Sequence, residues 1–277
     1  DLNFGFPAAK GTRRGGGAAV PWKRNLLRAL GTAAVDAGKT YGIPVTCKFR
    51  MGISDDLLTF IETGVICEQA GAVAVALHAR TAQQHYAPKA HWEAIAELKR
   101  AVQSIPVLGN GDIWEAADAL KMVEQTNCEG VVIGRGCLGR PWLFRDLIDA
   151  FSGRAIAPTP LLGEVLAVMI EHATALCDHF DSDRGIRDFR KHTGWYLTGY
   201  PVGGEVRRKF SELSSLDQLC ALDGSLDPTI GIVAGGERIA RGHTNGPIKV
   251  ALPEGYLVNR DDMSLPDDAD VLQLSGG

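Results

Sequence analysis

The chain has 277 residues, 45% of them hydrophobic and 22% charged, with a formal net charge of −4. Those are the proportions of an ordinary globular protein. An acidic balance gives no overall attraction to a polyanion, so any nucleic-acid contact needs a local basic patch. No apolar run approaches the ~18 residues that a membrane-crossing helix requires.

The chain opens on Asp1-Leu2-Asn3-Phe4-Gly5-Phe6-Pro7, a short apolar strand closed by an Asn and a Gly-x-Pro turn. The turn presents Phe6, a side chain without acid–base chemistry. Further short β-branched runs follow at Ile43–Phe49, Val73–Leu77, Ile105–Leu108 and Gly130–Ile133. Helical text lies between them, as in Leu57–Ala70 and Trp92–Val102. Near-continuous apolar strands alternating with amphipathic helices predict parallel βα units.

Five such strands fit either an open doubly wound sheet or part of a barrel. The polar residues favour the barrel. Asn3, Lys48 and Arg50, His78 and Arg80, Asn110 and Asp112, and Arg135 each fall just after a strand, and function gathered at successive strand ends marks a TIM barrel. A doubly wound sheet would concentrate it at one switch point. Eight strands take ~250 residues, and about 150 here are α/β, so three strands are expected before Asp1.

The texture changes after Pro141. Ala157-Pro158-Thr159-Pro160 reads as a linker, followed by helices over Leu161–Phe180, Asp183–Tyr196 and Glu205–Leu213. Beyond Asp223 the chain is Gly- and Pro-rich and predicts an extended or disordered tail. The expected fold is therefore α/β, the C-terminal part of a TIM (β/α)8 barrel with about five of eight strands, over residues 1–156. A small α-helical domain over 157–222 and an irregular tail over 223–277 complete it.

Several groups could carry chemistry. Gly134-Arg135-Gly136 is either plain turn geometry or a phosphate cradle; Asn110-Gly111-Asp112 on the preceding strand end favours the cradle. Lys48 and Arg50 alternate along strand text, and a Lys at the end of a buried parallel strand needs an anionic or hydrogen-bonding partner such as a flavin ring edge. His78 and Arg80 repeat that geometry one strand on. Arg184, Arg187, Arg190, Lys191 and His192 recur at helical spacing, with Trp195, Tyr196 and Tyr200 following and Arg207, Arg208 and Lys209 beyond. They read equally as a face paired with Asp181, Asp183 and Asp188 or as an RNA-contacting surface. The six cysteines, Cys47, Cys67, Cys128, Cys137, Cys177 and Cys220, form no CxxC pair, and no His is spaced for zinc. They read as reduced thiols of a cytoplasmic protein with no metal site.

Taken in order, DLNFGFPAAKGTRRGGGAA, VTCKFRMG, HARTAQQHYAPKAHW, PVLGNGDI, VVIGRGCLGRPWLF and RDFRKHTGWYLTGYPVGG resemble the motifs of the tRNA-dihydrouridine synthases, in their DusB-like bacterial branch. The likeness runs from residue 1 to about residue 215, and GPIKVALPEGYL suits the same branch. It implies an FMN-bearing TIM barrel and a helical tRNA-binding domain, with NADPH as reductant and tRNA as the partner. Reduced flavin delivers hydride to C6 of an extruded uracil, and a Cys protonates C5. By resemblance Lys48 and His78 lie against the flavin, with Arg80 beside it, close to the substrate. Asn110, Gly111, Asp112, Gly134 and Arg135 hold its ribityl chain and phosphate. Asn3 binds the uracil, Arg50 belongs to the substrate side, and Arg187, Arg190 and Lys191 face tRNA.

Two departures are visible. The family's Asn-x-Gly-Cys-Pro has Phe6 in the Cys position, and strands carrying a flavin-contacting loop and a Gln are missing from the text. Both imply that this chain is weakly active or inactive. The rival readings are a non-catalytic RNA-binding pseudoenzyme and another FMN barrel oxidoreductase acting on a small pyrimidine.

Overall fold

A computed structural model describes residues 1–242 and 245–264. Five strands, β1 (Leu2–Phe4), β2 (Thr46–Arg50), β3 (Ala74–His78), β4 (Val107–Asn110) and β5 (Gly130–Val132), form one parallel sheet in the order β1-β2-β3-β4-β5. Helices α1 (Ala9–Thr12) and α2 (Arg24–Thr40) lie between β1 and β2. Each later crossover carries one helix: α3 (Phe60–Ala70), α4 (Trp92–Ala101) and α5 (Ala116–Thr126). Sequential order with no reversal is the topology of a (β/α)8 barrel and not of a doubly wound sheet. The fold is α/β, with the strand–helix repeat of part of a TIM barrel.

Strands β2, β3 and β4 run one or two residues further than their apolar text. Arg50, His78 and Asn110 each end a strand and pair in register, Arg50 opposite His78 and His78 opposite Asn110. Apolarity stops where the ladder continues, because those ends turn a polar face away from the helices. Alternation puts Cys47, Phe49, Val75, Leu77 and Val107 on the other face, each at most 1% exposed. There the helices press on the backbone: a Cβ on Gly109 would come 2.4 Å from Met122 Sδ and 3.2 Å from Ile95 Cδ1.

The chain divides into two compact units, one of residues 1–112, 119–133 and 243–277, the other of residues 113–118 and 134–242. In the first, the C-terminal segment is irregular but anchored, unlike the loose tail expected from its composition. Tyr256 is buried, and its hydroxyl donates to Gly15 O and Ala19 O at 3.1 and 3.2 Å. Lys23, also buried, donates to Asn259 O at 2.7 Å and pairs with Asp262. Arg24 meets Asp261, and Arg260 meets Glu62. Side chains hold this stretch, and periodicity cannot register that. The expected tail's last 13 residues, 265–277, lie outside the described residues.

In the second unit, α6 (Leu143–Phe151) precedes α7 (Leu162–His179), α8 (Ser182–Tyr196), α9 (Gly204–Ser211) and α10 (Leu216–Asp223). Leu162, Val165, Leu166, Met169 and Ala173 of α7 share a core with Ile186, Phe189 and Tyr196 of α8. Asp181 caps α8, accepting from Arg184 N at 2.7 Å. The two helices touch at Gly185, where a Cβ would sit 2.5 Å from the Cys177 backbone. Gly185→Ala must push α7 and α8 apart and is expected to cost about 1–3 kcal/mol, read as a lower thermal midpoint by circular dichroism; an unchanged midpoint would refute the close crossing.

Candidate functional site

The in-line register of the sheet assembles polar groups from separate strands. Asn3 stands opposite Lys48, and one step on Arg50, His78 and Asn110 form a row across three strands. All five alternate onto the face that the helices leave uncovered.

Within that row most charge is satisfied internally. Arg50 is 4% exposed, donating Nε to Gly5 O at 2.9 Å and Nη1 to Thr81 O and His85 O at 3.0 and 2.8 Å. It thereby ties the turn after β1 to the loop after β3. Expected on the substrate side, Arg50 has these donors directed at backbone carbonyls.

Arg80 is 3% exposed and pairs with both carboxylate oxygens of Asp112, at 2.7 and 2.8 Å. It also donates to Pro88 O at 2.7 Å and lies 3.4 Å from His78 Nε2. Asp112 accepts from Ala90 N at 2.7 Å as well. Expected among the cofactor's ligands, Asp112 has its carboxylate engaged by Arg80 and by Ala90 N. Residues Arg80 and Asp112 are near neighbours only through this fold, since 32 residues separate them. The loop between β4 and α5 is shaped for close approach. Gly111 has φ 132°, a Cβ on it would come 2.7 Å from Ala90 Cβ, and its carbonyl accepts from Trp92 Nε1 at 2.9 Å. Asn110 donates to Val132 O at 2.7 Å.

Lys48 differs from its neighbours. It is partly buried and makes no hydrogen bond or ion pair among the described residues. Burial, reinforced by the positive Arg50, lowers its pKa to about 8. At neutral pH its ammonium is still the main form, held on the polar face and suited to an anionic or carbonyl-bearing ligand.

Asn3 supports the turn that follows β1. Its Oδ1 accepts from Gly5 N at 3.0 Å, a local closure typical of Asn. The exposed Phe6 comes next. No cysteine of the first unit offers an alternative acid on the polar face. Cys47 alternates onto the helix side against Cys67, whose thiol is pushed up by Cys47 and by burial. Cys128 is buried and donates to Gly130 O.

In the second unit, Gly134 and Arg135 lead into a short 3-10 turn, Arg135–Cys137. Arg135 stacks on Trp114 with its guanidinium carbon 5.4 Å from the ring centre, and a Cβ on Gly136 would meet Ile113 O at 2.1 Å. Cys137 donates to Gly134 O. On α8, Arg187 and Lys191 are exposed and Arg190 is partly buried. Asp188 takes Lys191 at 2.7 Å and Arg184 at 3.8 Å, and those cations, with Arg187, hold its carboxyl below the usual range. Asp188 is thus shared between Lys191 and Arg184. Such exposed pairs contribute little to stability.

A sequence model of the dihydrouridine synthase (Dus) family matches residues 1–226. The chain belongs to the dihydrouridine synthase family. It is 50% identical, over its full length, to a probable tRNA-dihydrouridine synthase of Mycobacterium tuberculosis, of which the match covers 71%. The corresponding Mycobacterium leprae protein is also 50% identical, with 72% of it covered. A tRNA-dihydrouridine synthase B of Pseudomonas aeruginosa is 37% identical over 80% of this chain and 65% of that protein.

Lys48, His78 and Asn110, expected just after strands, lie within β2, β3 and β4 on one face of the sheet. Sequence reasoning missed the Arg80–Asp112 pair and the Arg50 clamp, because a partner's identity is not written in local text. Two outcomes follow. Lys48 has a lower pKa folded than its ordinary 10.5, so between pH 8 and 10.5 the unfolded state binds more protons and stability rises with pH. Below pH 8 the penalty of the buried charge is fully present. Lys48→Met is expected to remove that rise and melt higher than the parent at pH 7; equal melting curves at both ends would disprove the assignment. Asp112→Ala strands the Arg80 guanidinium and should cost on the order of 3 kcal/mol in urea unfolding.

Proposed function

We propose that this chain acts on tRNA as a dihydrouridine synthase of the FMN-dependent, NADPH-driven kind, with much of its catalytic power removed by Phe6. The supporting observation is the polar row itself: a dihydrouridine-synthase sequence whose Lys48, His78 and Asn110 converge on one sheet face, with Lys48 lacking a protein partner among the described residues. A flavin fits that face, since its N1–C2=O edge accepts hydrogen bonds and takes up negative charge on reduction. Lys48 would face that edge and His78 would lie against the ring. The tight turn at Gly111 would bring backbone N–H groups near the phosphate, with Arg80 held beside the ring by Asp112. Gly134 and Arg135 are assigned to the phosphate, and Arg187, Arg190 and Lys191 to tRNA, on the resemblance and on their charge.

When bound, FMN supplies the hydride that the uracil ring receives at C6. The remaining step belongs to the protein: C5 must gain a proton. At the position from which the family's Cys gives one, the phenyl ring of Phe6 has none to give. Loss of a positioned acid typically lowers the rate ~10²–10⁴-fold. Phe6→Cys in the full chain, supplied with FMN and NADPH, is therefore expected to raise dihydrouridine formation in an unmodified tRNA transcript by at least ~10²-fold, counted by mass spectrometry of the digested RNA. Equal product from parent and variant would overturn the role given to Phe6. Phe6 also favours a second reading, an RNA-binding protein of this family that does not reduce its substrate. That reading gains if the Cys variant binds flavin and tRNA yet forms no product.

A further inference from the structure

Phe6 is not merely an absent cysteine. Its ring is 48% exposed, two residues after the buried Phe4. The backbone beneath it is fixed. Phe6 O accepts from Ala18 N at 2.9 Å, and Gly17, at φ 54°, approaches so closely that a Cβ there would lie 2.5 Å from Phe6 O. One side of the ring is supported too. A Cβ built on Gly11 would stand 3.1 Å from Phe6 Cδ1 and 3.4 Å from Cε1. Gly11 lies inside α1 in ordinary helical backbone, where glycine is a poorer choice than alanine. What glycine offers at that position is room for the ring.

We propose that Phe6, seated on Gly11, is an aromatic platform that stacks the uracil base of this chain's RNA substrate, holding the base where the family otherwise protonates it. The proposal rests on the dihydrouridine-synthase reading and deepens it. An aromatic ring held along one edge and half exposed can stack on any base. Asn3 adds the discrimination. With its Oδ1 held by Gly5 N, the exposed Asn3 amide keeps Nδ2 donors without a partner among the described residues, and a donor there selects a base edge with carbonyl oxygens, as uracil has at both O2 and O4. Lys48, opposite Asn3 in the sheet, brings positive charge to the same end.

The test measures binding of the full chain to an unmodified tRNA transcript and to oligouridylate by fluorescence anisotropy. A stacked base contributes ~1–3 kcal/mol, so Phe6→Ala should weaken both affinities by roughly 5- to 150-fold. Phe6→Leu, which fills the seat without a π face, should lose nearly as much, and Phe6→Trp should bind at least as well as the parent. Unchanged affinity in the Ala and Leu variants, or equal loss in the Trp variant, overturns the platform. Gly11→Val displaces the ring and should weaken binding in the parent but add no loss to Phe6→Ala; additive losses would refute the seat. Failure of the broader reading looks different. If Phe6→Cys with FMN and NADPH yields no dihydrouridine while oligouridylate binding still depends on Phe6, the platform stands and the reductase reading falls.

Discussion

The in-line register of the parallel sheet is the constraint on which the rest of the site depends. Because side chains alternate, one step of register decides whether Lys48 and His78 lie on the polar face of the sheet or against the helices. The helix side is closed, with Phe49, Leu77 and Val107 fully buried and Gly109 pressed by Met122. Every polar strand end must then emerge on the opposite face. Three residues from three strands line up there because β2, β3 and β4 end level with one another, a requirement met by their pairing and not by any loop.

That arrangement crowds cations, and the fold resolves the crowding unevenly. Arg50 spends its donors on Gly5, Thr81 and His85 carbonyls, and Arg80 is neutralised by Asp112. Both are fixed, and both brace loops at the same end of the sheet. Lys48 is left with burial and a like-charged neighbour, which is why its pKa falls. A rigid frame of paired arginines around one unpaired ammonium is a preorganised electrostatic environment: the frame does not need to rearrange when a ligand arrives.

How much of this was legible in the sequence follows from the same physics. Strand existence and order were readable from apolar runs, and polar residues near their ends were readable as charge. Strand ends were not, since Arg50, His78 and Asn110 interrupt apolarity while continuing the hydrogen-bond ladder. Pairing over long separations was also invisible: Arg80 with Asp112 spans 32 residues, and Tyr256 with Gly15 spans 241. The latter explains why the C-terminal segment reads as loose text yet is anchored through residue 262. The basic face of α8 was legible as charge, but the sharing of Asp188 between Lys191 and Arg184 became visible only from geometry.

The turn after β1 separates what a fold conserves from what one side chain decides. Asn3 closes it on Gly5 N, Ala18 N holds its carbonyl, and Gly17 gives the neighbouring chain space to approach. None of these contacts uses the side chain at position 6. The same backbone can therefore present a thiol or a phenyl ring at the same place without cost to the turn. The two differ in chemistry: a thiol carries a proton that it can give to a ring carbon from one face of a base, whereas a phenyl ring has none to give. Half-identity with mycobacterial relatives shows the family, while the side chain at position 6 is this chain's own, and Gly11 is the structural sign that its ring is accommodated.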